Sequence, residues 1–172
     1  MTQEKRWLYE EHAKRAVTNL LKRNINAQYV SNRKEALVSV LEMIPPGTVV
    51  ARADSVTIDQ IGIMEELRSR NQNKLIDPFA KDTNGRLIAS VEEGMRLRRG
   101  AFLADIFLTG TNAITLDGKL VSTDGRGNRV AAMIFGPEKV IVVSGVNKIV
   151  HDVNQAFQRI RQVAAPMNGR RH

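Results

Sequence analysis

The chain has 172 residues, enough for a domain with a sizeable core, and neither a linker-like composition break nor a repeat argues for more than one. It has no cysteine, which excludes disulfides, thiolate chemistry, zinc–thiolate sites and iron–sulfur clusters within the chain. Its net charge of +8 sits at the ends: residues 1–34 hold eight Lys/Arg against three Glu, residues 158–172 hold four Arg and no acid, and the body between is about neutral.

Basic charge confined to two termini, with few aromatics and none interleaved with it, is a weak nucleic-acid footprint, so nucleic acid is not expected as a partner. The opening MTQEKRWLYEEHAKR is too charged for a signal peptide, and no apolar run approaches the length of a membrane span. A cytoplasmic domain is expected.

Tyr9, Ala13, Ala16, Val17, Leu20 and Leu21 recur at three- and four-residue steps, which predicts an amphipathic N-terminal helix within residues 1–25. Lys14, Arg15, Lys22 and Arg23 form its wet face. Asn26 to Val30 reads as a short strand. Asn32 with Glu35 resembles a capping box, opening a helix whose face is Leu37, Val40, Leu41 and Ile44 and which Pro45-Pro46-Gly47 stops. Thr48 to Ala51 is rich in β-branched residues and predicts a strand. Asp54-Ser55 turns the chain, and Thr57 with Gln60 suggests the cap of a helix burying Ile58, Ile61, Met64 and Leu67.

Lys74 to Asp77 predicts a strand ended by Pro78. Ile88, Val91, Met95 and Phe102 keep the helical period through residues 85–102, with the methionines read as core filler. Ile106-Phe107-Leu108 reads as a buried strand bounded by Gly110, and Asp117-Gly118 between alternating segments as a hairpin turn. A polar loop, Ser122 to Arg129, opens a short helix stopped by Gly136-Pro137. Val140 to Val143 gives another strand, and Val153, Ala156, Phe157, Ile160 and Val163 a closing helix. Residues 169–172 read as a frayed basic tail. Strands alternating with helices predict an α/β fold: an open, largely parallel sheet covered by helices on both faces, with an inserted β-hairpin.

In such sheets ligands bind beyond the carboxyl ends of the strands. The segments expected there are Asp54-Ser55, Gly110-Thr111-Asn112, Asp124-Gly125-Arg126-Gly127-Asn128-Arg129 and Asn147-Lys148. Glycines at 125 and 127 permit close backbone approach, the helix that follows offers free N–H groups, and Arg126 or Arg129 offers a forked donor to an anion. The bland alternatives stay open: Asp124-Gly125 as a turn, Asn128 as a cap, Arg129 as a structural tie. Asp54 and Asp124 are the weak candidates for proton transfer, and both are equally good turn residues. His12, His151 and His172 show no metal-ligand spacing, and no metal is expected.

The block FLTGTNAIT.DG.LV..DG.GNRVAAMIFGP.KVIVV.GVNKIV, with Asp54-Ser55-Val56-Thr57, Gln60-Ile61-Gly62-Ile63 and Ala164-Ala165-Pro166-Met167-Asn168, resembles the lactate-utilisation (LUD) domain family. The type is that found in one component of a bacterial lactate-oxidation system, and the likeness spans roughly residues 5–168. It implies one LUD-like domain over 1–172, with the fold shared by sugar-phosphate isomerases and CoA transferases. It also implies a non-redox part in oxidising lactate to pyruvate beside iron–sulfur partner proteins. Relatives often continue into a cysteine-bearing tail that this chain lacks, which places electron transfer in the partners. Two alternatives stay open. One is a stand-alone enzyme or sensor binding a phosphorylated metabolite, nucleotide or acyl-CoA at Gly125–Arg129; the other is a basic adaptor for nucleic acid or an acidic protein. A homo-oligomer is a further candidate.

Overall fold

The computed structural model describes residues 2–171. In chain order the elements are α1 (Gln3–Leu21), α2 (Arg33–Glu42), β1 (Val49–Arg52), α3 (Val56–Ile61), α4 (Ile63–Arg70), β2 (Lys74–Ile76), α5 (Val91–Gly100), β3 (Ile106–Thr109), β4 (Ala113–Thr115), β5 (Leu120–Val121), α6 (Asn128–Ile134), β6 (Lys139–Val142), β7 (Ile149–Val150), α7 (Val153–Arg159) and α8 (Ala165–Arg171). The chain divides into two compact units. One comprises Ser31–Gly110 and Asp124–Val143; the other comprises Met1–Val30, Thr111–Thr123 and Ser144–His172.

The first unit is built on a four-stranded parallel sheet in the order β2-β1-β3-β6. Because successive side chains in a strand face opposite ways, its short apolar strands supply two cores. Val50, Ile106, Leu108 and Ile141 pack with Val40, Leu41, Ile44, Ile58, Ile61, Met64 and Leu67 from α2, α3 and α4. Ala51 and Phe107 face the other way, with Ala53, Ala101, Ala104 and Ala132. The second core is alanine-rich, and Phe107 is its largest buried side chain. Both faces are therefore covered, as the strand–helix alternation predicts.

The second unit holds α1, α7, α8 and a three-stranded mixed sheet, β5-β4-β7. The Asp117-Gly118 turn joins antiparallel β4 and β5, with Gly118 at φ +82°. β7 pairs parallel to β4. The glycine is required twice over, since a Cβ there would lie 2.5 Å from the Asn19 backbone of α1. Asn19 reinforces that seam by donating to Leu116 O.

Several expectations are corrected. The hairpin is not inserted in the parallel sheet but belongs to the small mixed one. Residues 26–30 form no strand: they are extended and join no ladder. The helix expected after Thr57 is capped by Ser55, whose Oγ accepts from Ile58 N, and it breaks at Gly62 in the left-handed region (φ +72°). The apolar stripe survives the break because α4 restarts at once. The helix expected over 85–102 is only α5. Gly85 (φ +77°) turns the chain, Asp82 accepts from Asn84 N and Arg86 N, and Ser90 caps the helix. Its apolar residues Ile88, Val91 and Met95 face solvent, so Met95 is not core filler.

At the other end, residues 169–171 are helical rather than frayed, and His172 lies outside the described residues. A π segment at Ile160–Ala164 precedes α8. Pro166 has no N–H for the carbonyl four residues back, which is a physical cause for the widened turn. The Asn32 cap is present: its Oδ1 accepts from Lys34 N and Glu35 N, while Glu35 reaches back to Ser31 N.

Candidate functional site

In the first unit the register brings Arg52 of β1 beside Leu108 of β3, and Thr109 beside Val142 of β6. Ala53-Asp54-Ser55 and Gly110 therefore leave the sheet at the same carboxyl edge. Ser55 is buried as the α3 cap, and Asp54 is half-buried. Gly110 is buried and its carbonyl accepts from Arg129 Nη1 at 3.0 Å.

The loop before α6 is organised by its own acid. Asp124 Oδ2 accepts from Arg129 N at 2.7 Å and Val130 N at 3.2 Å, and Oδ1 from Arg126 N at 3.3 Å. Three of the backbone donors of the loop and first helical turn, those of Arg126, Arg129 and Val130, are thus held by Asp124. Gly127 is the α6 cap in the left-handed region (φ +84°), so Asn128 is the first helical residue and not the cap. Gly125 is exposed with open space around it. Arg129, half-buried, ties α6 to the end of β3. Burial lowers its pKa, while the nearby carboxylates of Asp124 and Asp54 oppose that shift.

A further guanidinium, absent from the sequence expectations, belongs to this edge. Arg98 on α5 lies over the Phe79 ring at 5.0 Å from its centroid. Burial lowers its pKa first, the like charge of Arg126 lowers it further, and Asp54 raises it. The side chain runs back along its helix across Gly94, where a Cβ would meet Arg98 Nη1 at 2.9 Å. A glycine inside a ten-residue helix is costly, and here it clears the path for Arg98. That glycine, four residues before an arginine, was the available sequence signal.

Beneath lies Arg52, buried in β1 and stacked on the same Phe79 ring at 5.6 Å. Its Nη1 meets Asp59 at 2.6 Å, its Nε lies 3.8 Å from the buried Asp77, and its Nη2 has no hydrogen-bond partner among the described residues. Arg98 and Arg129 thus both feel the charge of Asp54, Arg126 lies near Arg98, and the Asp124 carboxylate is already engaged by backbone N–H groups. An edge so composed has a surplus of positive charge and suits a carboxylate or phosphate.

The remaining expected residues belong to the second unit. Buried Thr111 has its hydroxyl within 3.1 Å of Ala113 O and Val121 O, and 3.0 Å from Ser122 Oγ. Asn112 Oδ1 accepts from Thr123 N. Arg159, also missed in the sequence, donates to Asn112 O at 2.6 Å and Asn147 O at 3.3 Å, and burial lowers its pKa. Lys148 N donates to Gly145 O, and the Asn147 side chain is exposed. These contacts brace the mixed sheet and the turn before β7.

Among the described residues no three His, Asp or Glu side chains are grouped to hold a metal, and no helix is long and apolar enough to cross a membrane. His151 lies by Asp152, 3.4 Å away, at the start of α7. No curated protein matches the chain. The family model of the LUD domain matches residues 13–172, which takes in the parallel sheet, the Asp124–Arg129 loop and the mixed sheet. The chain belongs to the LUD domain family, which is linked to lactate utilisation.

Proposed function

We propose that this protein is a non-redox component of lactate oxidation to pyruvate, binding the small carboxylate at the carboxyl edge of its parallel sheet while iron–sulfur partner proteins carry the electrons. The observation that carries the reading is Arg98, set over the Phe79 ring at the carboxyl edge, with the charge of Asp54 acting on it and on Arg129 and the like charge of Arg126 beside it. Arg98 is held by the Phe79 ring and Gly94 and has no carboxylate in hydrogen-bond contact among the described residues, so its fork suits a 2-hydroxy or 2-oxo acid. The absence of cysteine supports placing the redox centres in the partners.

A phosphorylated ligand bound by the N–H groups of the Gly125–Arg129 loop is less favoured, because Asp124 already engages those of Arg126 and Arg129. The test is calorimetric titration with lactate, pyruvate and inorganic phosphate at fixed ionic strength. A carboxylate should bind, and Arg98→Ala should weaken it about tenfold or more, the value of one charge-assisted hydrogen bond, with an unchanged melt. Binding of phosphate alone, or equal carboxylate affinity in the variant, would remove the basis of the reading. Reconstitution with the iron–sulfur partners then tests the lactate role: lactate oxidation should require this chain.

A further inference from the structure

α5 carries an apolar stripe that is left partly or almost wholly exposed in its own unit. Val91 is 91% exposed and Met95 38%, and the 3-10 turn that continues the helix, Ala101–Leu103, ends in Leu103 at 88%. At the neighbouring end of α6, Phe135 is 86% exposed. Gly136 approaches the Phe102 backbone to within about 3.3 Å of where its Cβ would be, so these two apolar ends adjoin. Val91, Glu92, Met95, Arg96 and Arg99 line a shallow groove along the helix. Exposed apolar side chains along one helix, with charged neighbours, suit an association surface.

The charges on this helix indicate what covers it. The first turn is acidic and the last is basic. Arg96 is paired within its helix to Glu93, through Nε and Nη2 at 2.8 Å each. Glu92 and Arg99, both on the groove, have no ion-pair partner among the described residues. Turned antiparallel about a point between Met95 and Arg96, a second α5 sets its Arg99 opposite Glu92 and its Glu92 opposite Arg99. The same register sets Met95 beside the two-fold axis. One surface patch complementary to itself under a two-fold rotation is the signature of an isologous dimer. The opposed helix ends add favourable charge–dipole contacts.

We propose that the protein is a two-fold symmetric homodimer that pairs α5 with α5 of a second copy, with Met95 at the centre and two Glu92–Arg99 ion pairs at its flanks. The full chain should sediment at twice its 19.2 kDa mass at micromolar concentration. Met95→Glu should give monomer with an unchanged melting profile. Glu92→Arg and Arg99→Glu should each set like charges opposite one another twice, and each should weaken dimerisation at least tenfold.

Symmetry supplies the decisive arm. When the two charge-reversed proteins are mixed, both flanking contacts of the mixed dimer again join opposite charges, so heterodimer should form where neither variant dimerises alone. A monomeric wild type up to 100 µM, on the order of the weakest specific association worth the name, overturns the proposal. So does a dimer indifferent to all three substitutions, or a mixture that stays monomeric.

Discussion

Gly94→Ala separates the cost of a residue to the fold from its service to the site. In the middle of α5, alanine should gain about 0.8–1.0 kcal/mol of helix propensity over glycine. The new methyl group would stand 2.9 Å from Arg98 Nη1 and 3.9 Å from Cζ, with no backbone atom in its way. The far end of a flexible side chain must therefore swing aside, and the fold can allow it. What is lost is the guanidinium contact with Phe79 at 5.0 Å, about 0.5–1 kcal/mol for a partly exposed cation–π pair. The two effects nearly cancel, so urea denaturation should place the variant within about 0.5 kcal/mol of the parent. Carboxylate affinity should behave otherwise. Displacing Arg98 costs part of a charge-assisted hydrogen bond of about 1.5–3 kcal/mol, and calorimetric titration should show a loss of at least about threefold. A destabilisation beyond about 2 kcal/mol would show that Gly94 serves packing. Unchanged affinity would show that Arg98 does not touch the ligand.

Three other outcomes are expected. Asp77→Ala should cost about 3 kcal/mol in urea denaturation, the lower end for breaking a buried pair, because it removes the partner of Arg68, the acceptor of Phe79 N and a contact of Arg52, while Asp59 still faces Arg52. Asp59→Ala should cost less than about 1 kcal/mol although its contact is the shorter, since its side chain is exposed; the reverse ranking would refute burial as the deciding factor. Asp117, in the hairpin turn, is held down to about 2 by Lys119 and then Thr115, against its ordinary 3.8. A lowered carboxylate pKa stabilises the fold above the unfolded value and ceases to do so as pH falls through the folded one. A carboxyl-carbon NMR titration should therefore show Asp117 titrating near 2, and Lys119→Ala should move it upward; a midpoint near 3.8 in the parent would contradict the contact. Phe107→Ala should cost about 3–5 kcal/mol, because its fully buried neighbours are alanines that cannot fill the space.

The parts of the fold legible in the sequence were those governed by local period. β1, β3 and β6 stood out as short apolar runs because both of their faces are buried. Ile58, Ile61, Met64 and Leu67 kept their stripe even across the break at Gly62. Period reports that a face is apolar, not what covers it, and for that reason the Val91–Met95 stripe was read as core when it is surface. The split of the strands into two sheets depends on pairing between residues far apart in sequence, which no window contains. At the carboxyl edge, the positions of Asp54 and Gly110 just beyond β1 and β3 were legible from the rule that loops follow strand ends. Arg98 was not, since it reaches the edge by crossing Gly94 and meeting Phe79, far from it in sequence. Nor was the role of Asp124, because its carboxylate closes on N–H groups two to six residues on only after Gly127 takes a left-handed turn.

Binding of a small carboxylate at the carboxyl edge of the parallel sheet is tested most directly by NMR. Amide and arginine side-chain shifts would be mapped as pyruvate or lactate is added at constant ionic strength. Saturable shifts should concentrate at Asp54, Gly110, residues 124–129 and the Nε of Arg98, and in a folded Arg98→Ala protein those that remain should all move together to at least about tenfold higher ligand concentration. Shifts confined to the basic terminal helices, or no saturable shift with either acid, would contradict carboxylate binding at that edge.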